Sequence, residues 1–354
     1  MKILFTFFVA SGGVETQNRY RCRALHRHGI AAHQLYLRAG SGIQNVGAIP
    51  TWITNSDAEI KAILDREQYD AIVVSSDFWM VQRLRALGYH RIIVYEAVGL
   101  GDRAEAEQTI IQAAPVLFAH ANAILHPVTQ HLSELFSHHL PTFPRSVFHL
   151  PFESDSFNYR SYPVRPFPIV GWIGRFEPNK NWRGFLEIGQ RLIAHYPNLQ
   201  LHVFDDADLC PEQEAFFETI RQLGISGNIT RHFNVPHTVM QDHLSIIGDS
   251  GGFLCSTSKM EGFGYAVLEA MACRCPVLTT DSDGVRSFVT HNVTGKFFPY
   301  GYTDVAVAEG LHLMQNHPLR EAIRQHAYHH VNSTFSPDLY VVNLASMLRA
   351  IGAV

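Results

Sequence analysis

The chain has 354 residues, and at roughly 150 residues per domain this length favours two domains. Hydrophobic residues make up 46% and charged residues only 17%, a balance that excludes a largely disordered chain. Lys and Arg total 28 against 32 Asp and Glu, so the net charge of −4 excludes a strongly basic nucleic-acid-binding protein.

The amino-terminal half alternates short apolar stretches with amphipathic ones, which indicates a parallel, doubly wound sheet. Ser56 is expected to cap its helix through the hydroxyl. The predicted strands are Lys2–Val9, Ala32–Leu37, Tyr69–Val74 and Arg91–Tyr95, and the predicted helices are Thr16–His28, Ser56–Asp65 and Phe78–Leu87.

A proline-rich stretch over 151–168 is the predicted linker, which places an amino-terminal domain at 1–150 and a carboxy-terminal domain at 169–335. A last helix is predicted over Ser336–Ala350. After the linker the predicted strands are Ile169–Ile173, Leu199–Phe204, Ile229–Phe233, Gly252–Cys255 and Val277–Thr280, and the predicted helices are Trp182–His195, Pro211–Leu223, Val239–Ile247 and Tyr265–Cys273.

The segment from Ser256 to Ala272 carries the densest chemical signal. A strand ends, a loop holds Glu261 between residues that include Gly262 and Gly264, and a helix follows with Glu269 about two turns into it. Glycines let backbone N–H groups face a ligand, and a helix N-terminus favours an anion such as a diphosphate. A second carboxylate placed there can accept hydrogen bonds from the hydroxyls of a ribose. The alternative is a capped helix with an ordinary surface Glu.

Neither candidate glycine turn, Gly12-Gly13 or Gly171–Gly174, completes the G-x-G-x-x-G pattern that dinucleotide-binding enzymes use, which disfavours an oxidoreductase.

Two sequence motifs that could bind a metal are weak. Asp206-Ala207-Asp208 follows a strand with no partner loop, and Cys273-Arg274-Cys275 has no second ligand pair at zinc spacing. Five scattered cysteines favour reduced, buried thiols and a cytoplasmic protein over a secreted one.

Taken in order, the motifs resemble the signature of retaining glycosyltransferases of family 4, the group 1 glycosyl transferases. The resemblance extends over most of the chain. It is carried by Glu261-Gly262-Phe263-Gly264, Glu269-Ala270-Met271-Ala272, Pro276-Val277, Thr294-Gly295, Gly12-Gly13, Leu150-Pro151-Phe152, Gly174-Arg175 and Lys180-Asn181.

The resemblance implies the GT-B fold, an α/β architecture of two Rossmann-like, doubly wound domains that face each other across a cleft. It implies an acceptor-binding amino-terminal domain, a nucleotide-sugar-binding carboxy-terminal domain, and a last helix at about 336–354 that crosses back to the amino-terminal domain. The donor-binding residues that it implies are Gly12, Gly13, Arg175, Lys180, Glu261, Gly262, Phe263, Gly264, Tyr265 and Glu269.

The family's chemistry implies that Arg175 and Lys180 neutralise the leaving diphosphate, so that neither a metal nor another cofactor is expected. Glu261 would hold the transferred sugar and Glu269 the ribose. Many relatives carry a His at the place of Glu96, which leaves two alternatives open for that carboxylate: it serves the acceptor as a positioning group or base, or it is structural.

Arg19, Arg23 and Arg27 recur at four-residue steps on the first helix, where they would form either a contact with an anionic membrane surface or a solvated face. The expected location is cytoplasmic, with peripheral contact at the inner membrane face as the alternative. A short signal peptide at the start is the less favoured interpretation of the apolar stretch Ile3–Ala10.

The function that the sequence predicts is transfer of a hexose from a nucleotide diphosphate sugar to a glycan, lipid-linked or small acceptor. UDP is favoured over GDP. The expected mechanism is metal-independent front-face substitution with retention. The alternative is a GT-B protein without catalysis that acts as a binding or partner subunit.

Overall fold

The computed structural model describes residues 1–153, 157–206 and 212–353, which form two α/β units. The first unit comprises Met1–Glu153 and Thr334–Val354, and the second comprises Ser154–Ser333. The sequence analysis placed these divisions at 150 and at about 336, with a linker over 151–168. The structure instead assigns residues 157–168 to the second unit.

A seven-stranded sheet, parallel throughout, forms the centre of the first unit. Its strand order is β3-β2-β1-β4-β5-β6-β7, so the order reverses between β1 and β4. The strands are β1 (Lys2–Val9), β2 (Ala31–Arg38), β3 (Thr51–Ile53), β4 (Ala71–Ser75), β5 (Ile92–Glu96), β6 (Ala123–His126) and β7 (Arg145–Val147).

Helices cover both faces of this sheet. Alternate residues of each strand point to opposite faces, so Leu4 and Ile72 face one core while Phe5 and Val73 face the other. The helices are α1 (Gly12–Arg27), α2 (Asp57–Glu67), α3 (Phe78–Ala86), α4 (Arg103–His120), α5 (Gln130–His139) and, from the end of the chain, α13 (Pro337–Ala350).

The last helix belongs to the amino-terminal unit, as predicted. Leu344 and Leu348 of α13 are buried in the same core as Leu25 of α1 and Phe5 of β1. The chain therefore returns to its first unit and closes one face of that unit's sheet.

The second unit has a six-stranded parallel sheet in the order β10-β9-β8-β11-β12-β13. Its strands are β8 (Ile169–Ile173), β9 (Gln200–Asp205), β10 (Ile229–Phe233), β11 (Phe253–Ser256), β12 (Val277–Thr280) and β13 (Lys296–Phe298). Its helices are α6 (Trp182–His195), α7 (Gln213–Leu223), α8 (His237–Asp249), α9 (Tyr265–Ala272), α10 (Asp283–Arg286), α11 (Thr303–Gln315) and α12 (His317–Thr334).

Two α/β units with parallel, doubly wound sheets are the fold class that the sequence predicts. The bounds of β1, β8, α6, β10 and β12 are those predicted. Ser56 is the residue before α2, but its side chain makes no capping hydrogen bond, so the predicted hydroxyl cap is wrong.

Four of the five cysteines are described, and all four are buried free thiols. Burial raises the pKa of Cys255 and of Cys275 to about 12, which makes both thiols unreactive. Of the Asp206-Ala207-Asp208 motif, only Asp206 lies within the described residues. No helix within residues 1–153, 157–206 and 212–353 is long and apolar enough to cross a membrane.

The arginine stripe of α1 does not form an open cationic face. Arg19 is buried and its Nε donates to Glu15 at 3.1 Å. Arg23 and Arg27 both bind the carboxylate of Glu153, at 3.0 and 2.6 Å. Each of the three guanidinium groups thus has a carboxylate partner, and only Arg23 and Arg27 remain partly exposed.

Candidate functional site

In the second unit the carboxyl ends of β8 and β11 lie side by side at the point where the strand order reverses. In open α/β sheets this switch point is where ligands bind. The loop over 174–181 leaves β8 and the loop over 257–264 leaves β11, and these loops hold most of the residues that the sequence singled out.

Backbone and amide hydrogen bonds fasten the two loops together. Lys259 N donates to Asn179 O at 2.8 Å, and Asn179 Nδ2 donates to Met260 O at 3.2 Å. The buried Thr257 hydroxyl lies 3.0 Å from the carbonyl oxygens of Lys180 and Asn181. These bonds fix the spacing of the loops, so the groups they carry have defined positions.

Lys180 and Glu261 meet across this junction. Lys180 Nζ lies 2.8 Å from Glu261 Oε1, and Ser258 Oγ donates to the same oxygen at 2.6 Å. The two charged side chains are 23% and 15% exposed, so solvent reaches them but screens the pair only in part. The structure brings together two of the predicted site residues and adds Ser258, which the sequence analysis did not single out.

A left-handed glycine starts the helix that follows. Gly264 has φ of +91° and directly precedes α9, a backbone conformation that glycine adopts without steric cost. A Cβ on Gly284 would meet the carbonyl oxygen of Glu261 at 2.1 Å and the carbonyl carbon of Gly262 at 2.7 Å. Gly284 therefore allows α10 to lie directly against the Glu261 loop, a role that the sequence analysis missed.

Phe263 and Tyr265 contribute no exposed ring to this site. Both are 7% exposed, and Phe263 packs against Tyr265 and Phe288 with ring centroids 4.9 and 5.5 Å apart. Their side chains anchor the loop in the core, so only their backbone groups are available to a ligand.

Glu269 is the fifth residue of α9, one turn into the helix and not the predicted two. The side chain is 9% exposed, and His237 Nε2 lies 2.9 Å from Glu269 Oε1. The His237 ring in turn packs on Phe157, with centroids 4.4 Å apart. Sequence reasoning missed His237, because 32 residues separate it from its partner and no motif marks it.

Arg175 lies in the first loop with its guanidinium 42% exposed, the more accessible of the two predicted cations. Its Nη2 lies 3.2 Å from Glu177 Oε1. The site thus holds two cations, each beside a carboxylate that keeps it in place in the absence of ligand.

The predicted glycine turn of the first unit is instead the start of α1, four residues before the predicted start at Thr16. Gly12 has φ of +72° and is the first residue of α1. Gly42 packs against the turn from the neighbouring loop, and its N–H donates to Ala10 O at 2.9 Å. Gly12 and Gly13 are both exposed, so their backbone groups are accessible.

Glu96 is the predicted site residue that the structure reassigns. It is 0% exposed, and both carboxylate oxygens accept from Arg21 Nη1, at 2.8 and 2.9 Å. Gln17 and Ser75 also donate to it, at 2.8 and 2.7 Å. Burial opposes the charge on Arg21, yet the Glu96 carboxylate raises the pKa of Arg21 above its ordinary value. This enclosure favours the second of the two alternatives, a structural carboxylate.

Two Rossmann-like units, with the last helix returned to the first, are the architecture of the GT-B class. Residues 162–330, almost the whole of the second unit, match the family model described as Glycosyl transferases group 1. This stretch of the chain is therefore similar to the group 1 glycosyl transferases, in agreement with the resemblance of the sequence.

Named relatives agree with this assignment. The chain is 24% identical over 178 residues to a 2-deoxystreptamine N-acetyl-D-glucosaminyltransferase of Niallia circulans, covering 50% of this chain and 44% of that protein. It is 28% identical over 158 residues to a D-inositol 3-phosphate glycosyltransferase of Kribbella flavida, covering 42% and 36%. The chain thus matches less than half the length of these curated relatives.

Solved structures show the same fold over the whole chain. Anabaena HepE, solved with UDP and glucose, has a TM-score of 0.81 at 17% identity and covers 99% of this chain and 100% of its own. Sucrose-phosphate synthase from Thermosynechococcus elongatus has a TM-score of 0.79 at 16% identity, with 99% of each chain covered. These similarities confirm the predicted fold class.

Proposed function

We propose that this protein is a retaining glycosyltransferase that transfers a hexose from a UDP-sugar to a glycan, lipid-linked or small polyhydroxyl acceptor. The observation that carries the proposal is the Lys180–Glu261 pair, held between two fastened loops at the switch point of a domain similar to the group 1 glycosyl transferases. A cation and a helix N-terminus suit the diphosphate of a nucleotide sugar, and a carboxylate suits its hydroxyl groups.

In this proposal the diphosphate lies against Arg175, Lys180 and the first turn of α9. A guanidinium binds two phosphate oxygens at once, an ammonium adds a point charge, and the helix dipole adds partial positive charge. Negative charge grows on the β-phosphate as the sugar leaves, so preorganised cations stabilise the transition state more than the ground state.

Glu261 accepts hydrogen bonds from hydroxyls of the transferred sugar, and Glu269 accepts them from the ribose. The hydrogen bonds from Lys180 and Ser258 already orient Glu261. The proposed step is front-face substitution: the departing β-phosphate takes the proton of the acceptor hydroxyl, whose oxygen bonds to the anomeric carbon on the same face. Charge on the phosphate is handled by side chains, so a divalent metal is not required.

The names of two relatives support a polyhydroxyl acceptor. One relative is named for 2-deoxystreptamine and another for D-inositol 3-phosphate. For this chain we propose that the first unit binds the acceptor. The buried Glu96 is given no part in that binding.

A thermal-shift series with UDP, GDP, ADP and CMP, each with Mg²⁺ or with EDTA, tests the donor class. A ligand at 100 times its dissociation constant stabilises a protein by about 2.7 kcal/mol. The expected result is a shift with UDP that is equal in Mg²⁺ and EDTA and is lost in Arg175→Ala. Stabilisation by GDP alone would reassign the donor to a GDP-sugar, and no shift with any nucleotide would favour a non-catalytic subunit.

Product stereochemistry tests the reaction. With UDP-glucose and a panel of cyclitol and monosaccharide acceptors, proton NMR of the product is expected to show an axial, α-configured anomeric linkage. A β-configured product would overturn retention while leaving donor binding intact.

A further inference from the structure

Glu269 is a nearly buried carboxylate that depends on a partner from another helix. A buried carboxylate without a hydrogen-bond donor is costly, and its orientation is set by whatever donates to it. His237, the first residue of α8, lies with Nε2 2.9 Å from Glu269 Oε1. A carboxylate only accepts, so Nε2 is the donor in this pair.

The ring of His237 is itself held in place. Phe157, 1% exposed, packs against it with centroids 4.4 Å apart and planes 31° apart. The segment that carries Phe157 is attached to α8 farther along: Asn158 N donates to Gln241 Oε1 at 3.1 Å, and Arg160 N donates to Ser245 Oγ at 3.1 Å. The imidazole therefore has little freedom to rotate away from Glu269.

We propose that His237 is a positioning residue for nucleotide recognition, which orients the Glu269 carboxylate so that it accepts hydrogen bonds from the ribose hydroxyls. The inference rests on the proposed function, because it assigns a partner to the proposed ribose carboxylate. His237 acts through Glu269, so its contribution appears only with ligands that carry those hydroxyls.

Two substitutions separate orientation from mere packing. Gln places its amide nitrogen near the position of Nε2, whereas Asn is one methylene shorter and leaves that position empty. Both remove the aromatic contact with Phe157. His237→Gln is therefore expected to keep the function of the wild-type protein, and His237→Asn is the matched control that loses it.

Calorimetry with UDP and with 2′,3′-dideoxyuridine 5′-diphosphate tests the proposal on the full chain. His237→Asn is expected to weaken UDP binding about tenfold, as the loss of a partner that orients a ligand-binding group does elsewhere. His237→Gln stays within about threefold of wild type, and the dideoxy nucleotide binds all three proteins equally.

Each other outcome has a definite meaning. Equal losses with both nucleotides, or an equal loss in both variants, would show that His237 only supports the local packing, and would overturn the inference. Unchanged UDP binding in His237→Asn would also overturn it. If wild type binds no UDP, the proposed donor is wrong and the positioning role falls with it.

Discussion

Lys180 and Glu261 form an ion pair, with Nζ 2.8 Å from Oε1, that joins the loop after β8 to the loop after β11. The pair neutralises a cation and an anion that would each be costly if held alone at a partly dehydrated sheet edge. It also places the ammonium at the switch point before any ligand arrives, which reduces the ordering that binding must supply.

Lys180→Ala is expected to weaken UDP binding about tenfold, since the diphosphate loses a charge-assisted contact and gains the repulsion of an unpaired Glu261. Isothermal titration measures the change. Lys259→Ala, an exposed lysine of the neighbouring loop, is the control and should leave affinity unchanged.

The same substitution in a Glu261→Gln variant separates the lost contact with the diphosphate from the repulsion by Glu261. If Lys180 contacts the diphosphate directly, Lys180→Ala still weakens binding when Glu261→Gln has removed the negative charge. A loss that vanishes in Glu261→Gln would mean that Lys180 only screens the carboxylate.

Glu269→Gln is expected to weaken binding of free UDP about tenfold and to lower turnover as well. The amide keeps the size of the side chain but replaces one accepting oxygen with a donor beside His237 and the ribose. Calorimetry with UDP alone separates binding from chemistry. Unchanged nucleotide affinity would contradict the proposed role of this residue.

The surroundings of Glu96 in the structure differ from those that the sequence pattern predicts. It is the last residue of β5, near the place where the resemblance puts a His in many relatives, and that position made it a candidate to position the acceptor or to act as a base. The deciding facts are the guanidinium of Arg21 and the hydroxyl of Ser75, which lie 75 and 21 residues away along the chain. No local pattern contains such partners.

The short range of sequence patterns also explains which other elements and residues could be predicted from the sequence and which could not. The strands Lys2–Val9 and Ile169–Ile173 were predicted to the residue, because an apolar run before a glycine turn is a local signal. Helix α4, with Pro115 inside it and weak amphipathicity, gave no such signal. His237 and Gly284 act through tertiary contacts, so only the folded chain identifies them.

Glu96→Ala is expected to destabilise the first unit by about 3–5 kcal/mol, because it leaves the Arg21 guanidinium buried without its partner. Urea unfolding measures the loss. Pairing it with Arg21→Met should recover part of that stability, since the orphaned charge is then gone. A variant that stays as stable as wild type but loses transfer activity would restore Glu96 as a catalytic group.

Gly284→Ala is expected to weaken UDP binding. The ideal position of the new methyl carbon lies 2.1 Å from the Glu261 carbonyl oxygen, so that the Glu261 loop would have to move. Gly227→Ala is the matched control in the same unit, since a methyl group there meets no atom within 4 Å. Equal affinities in the two variants would show that the Glu261 loop tolerates the shift.

Three histidines of the second unit are in mutual contact, and we expect them to make its stability depend on pH. His202 Nδ1 lies 3.2 Å from His232 Nε2, and the His243 ring packs against His232 with centroids 4.8 Å apart. Burial, with the neighbouring histidines, lowers the pKa of His202 to about 4, and burial also lowers the pKa values of His232 and His243.

A histidine whose pKa is lower in the folded state binds fewer protons there than in the unfolded chain. Its stabilising effect is therefore complete above the unfolded pKa of about 6.5 and is lost as the pH falls toward 4. We expect the free energy of unfolding to decrease across this interval, and His202→Gln to reduce the decrease by about 2–3 kcal/mol. Urea unfolding at pH 7.0, 5.5 and 4.5 measures it. His195→Gln, at an exposed helix end, is the control. Parallel pH curves for His202→Gln and wild type would show that the cluster does not carry the effect.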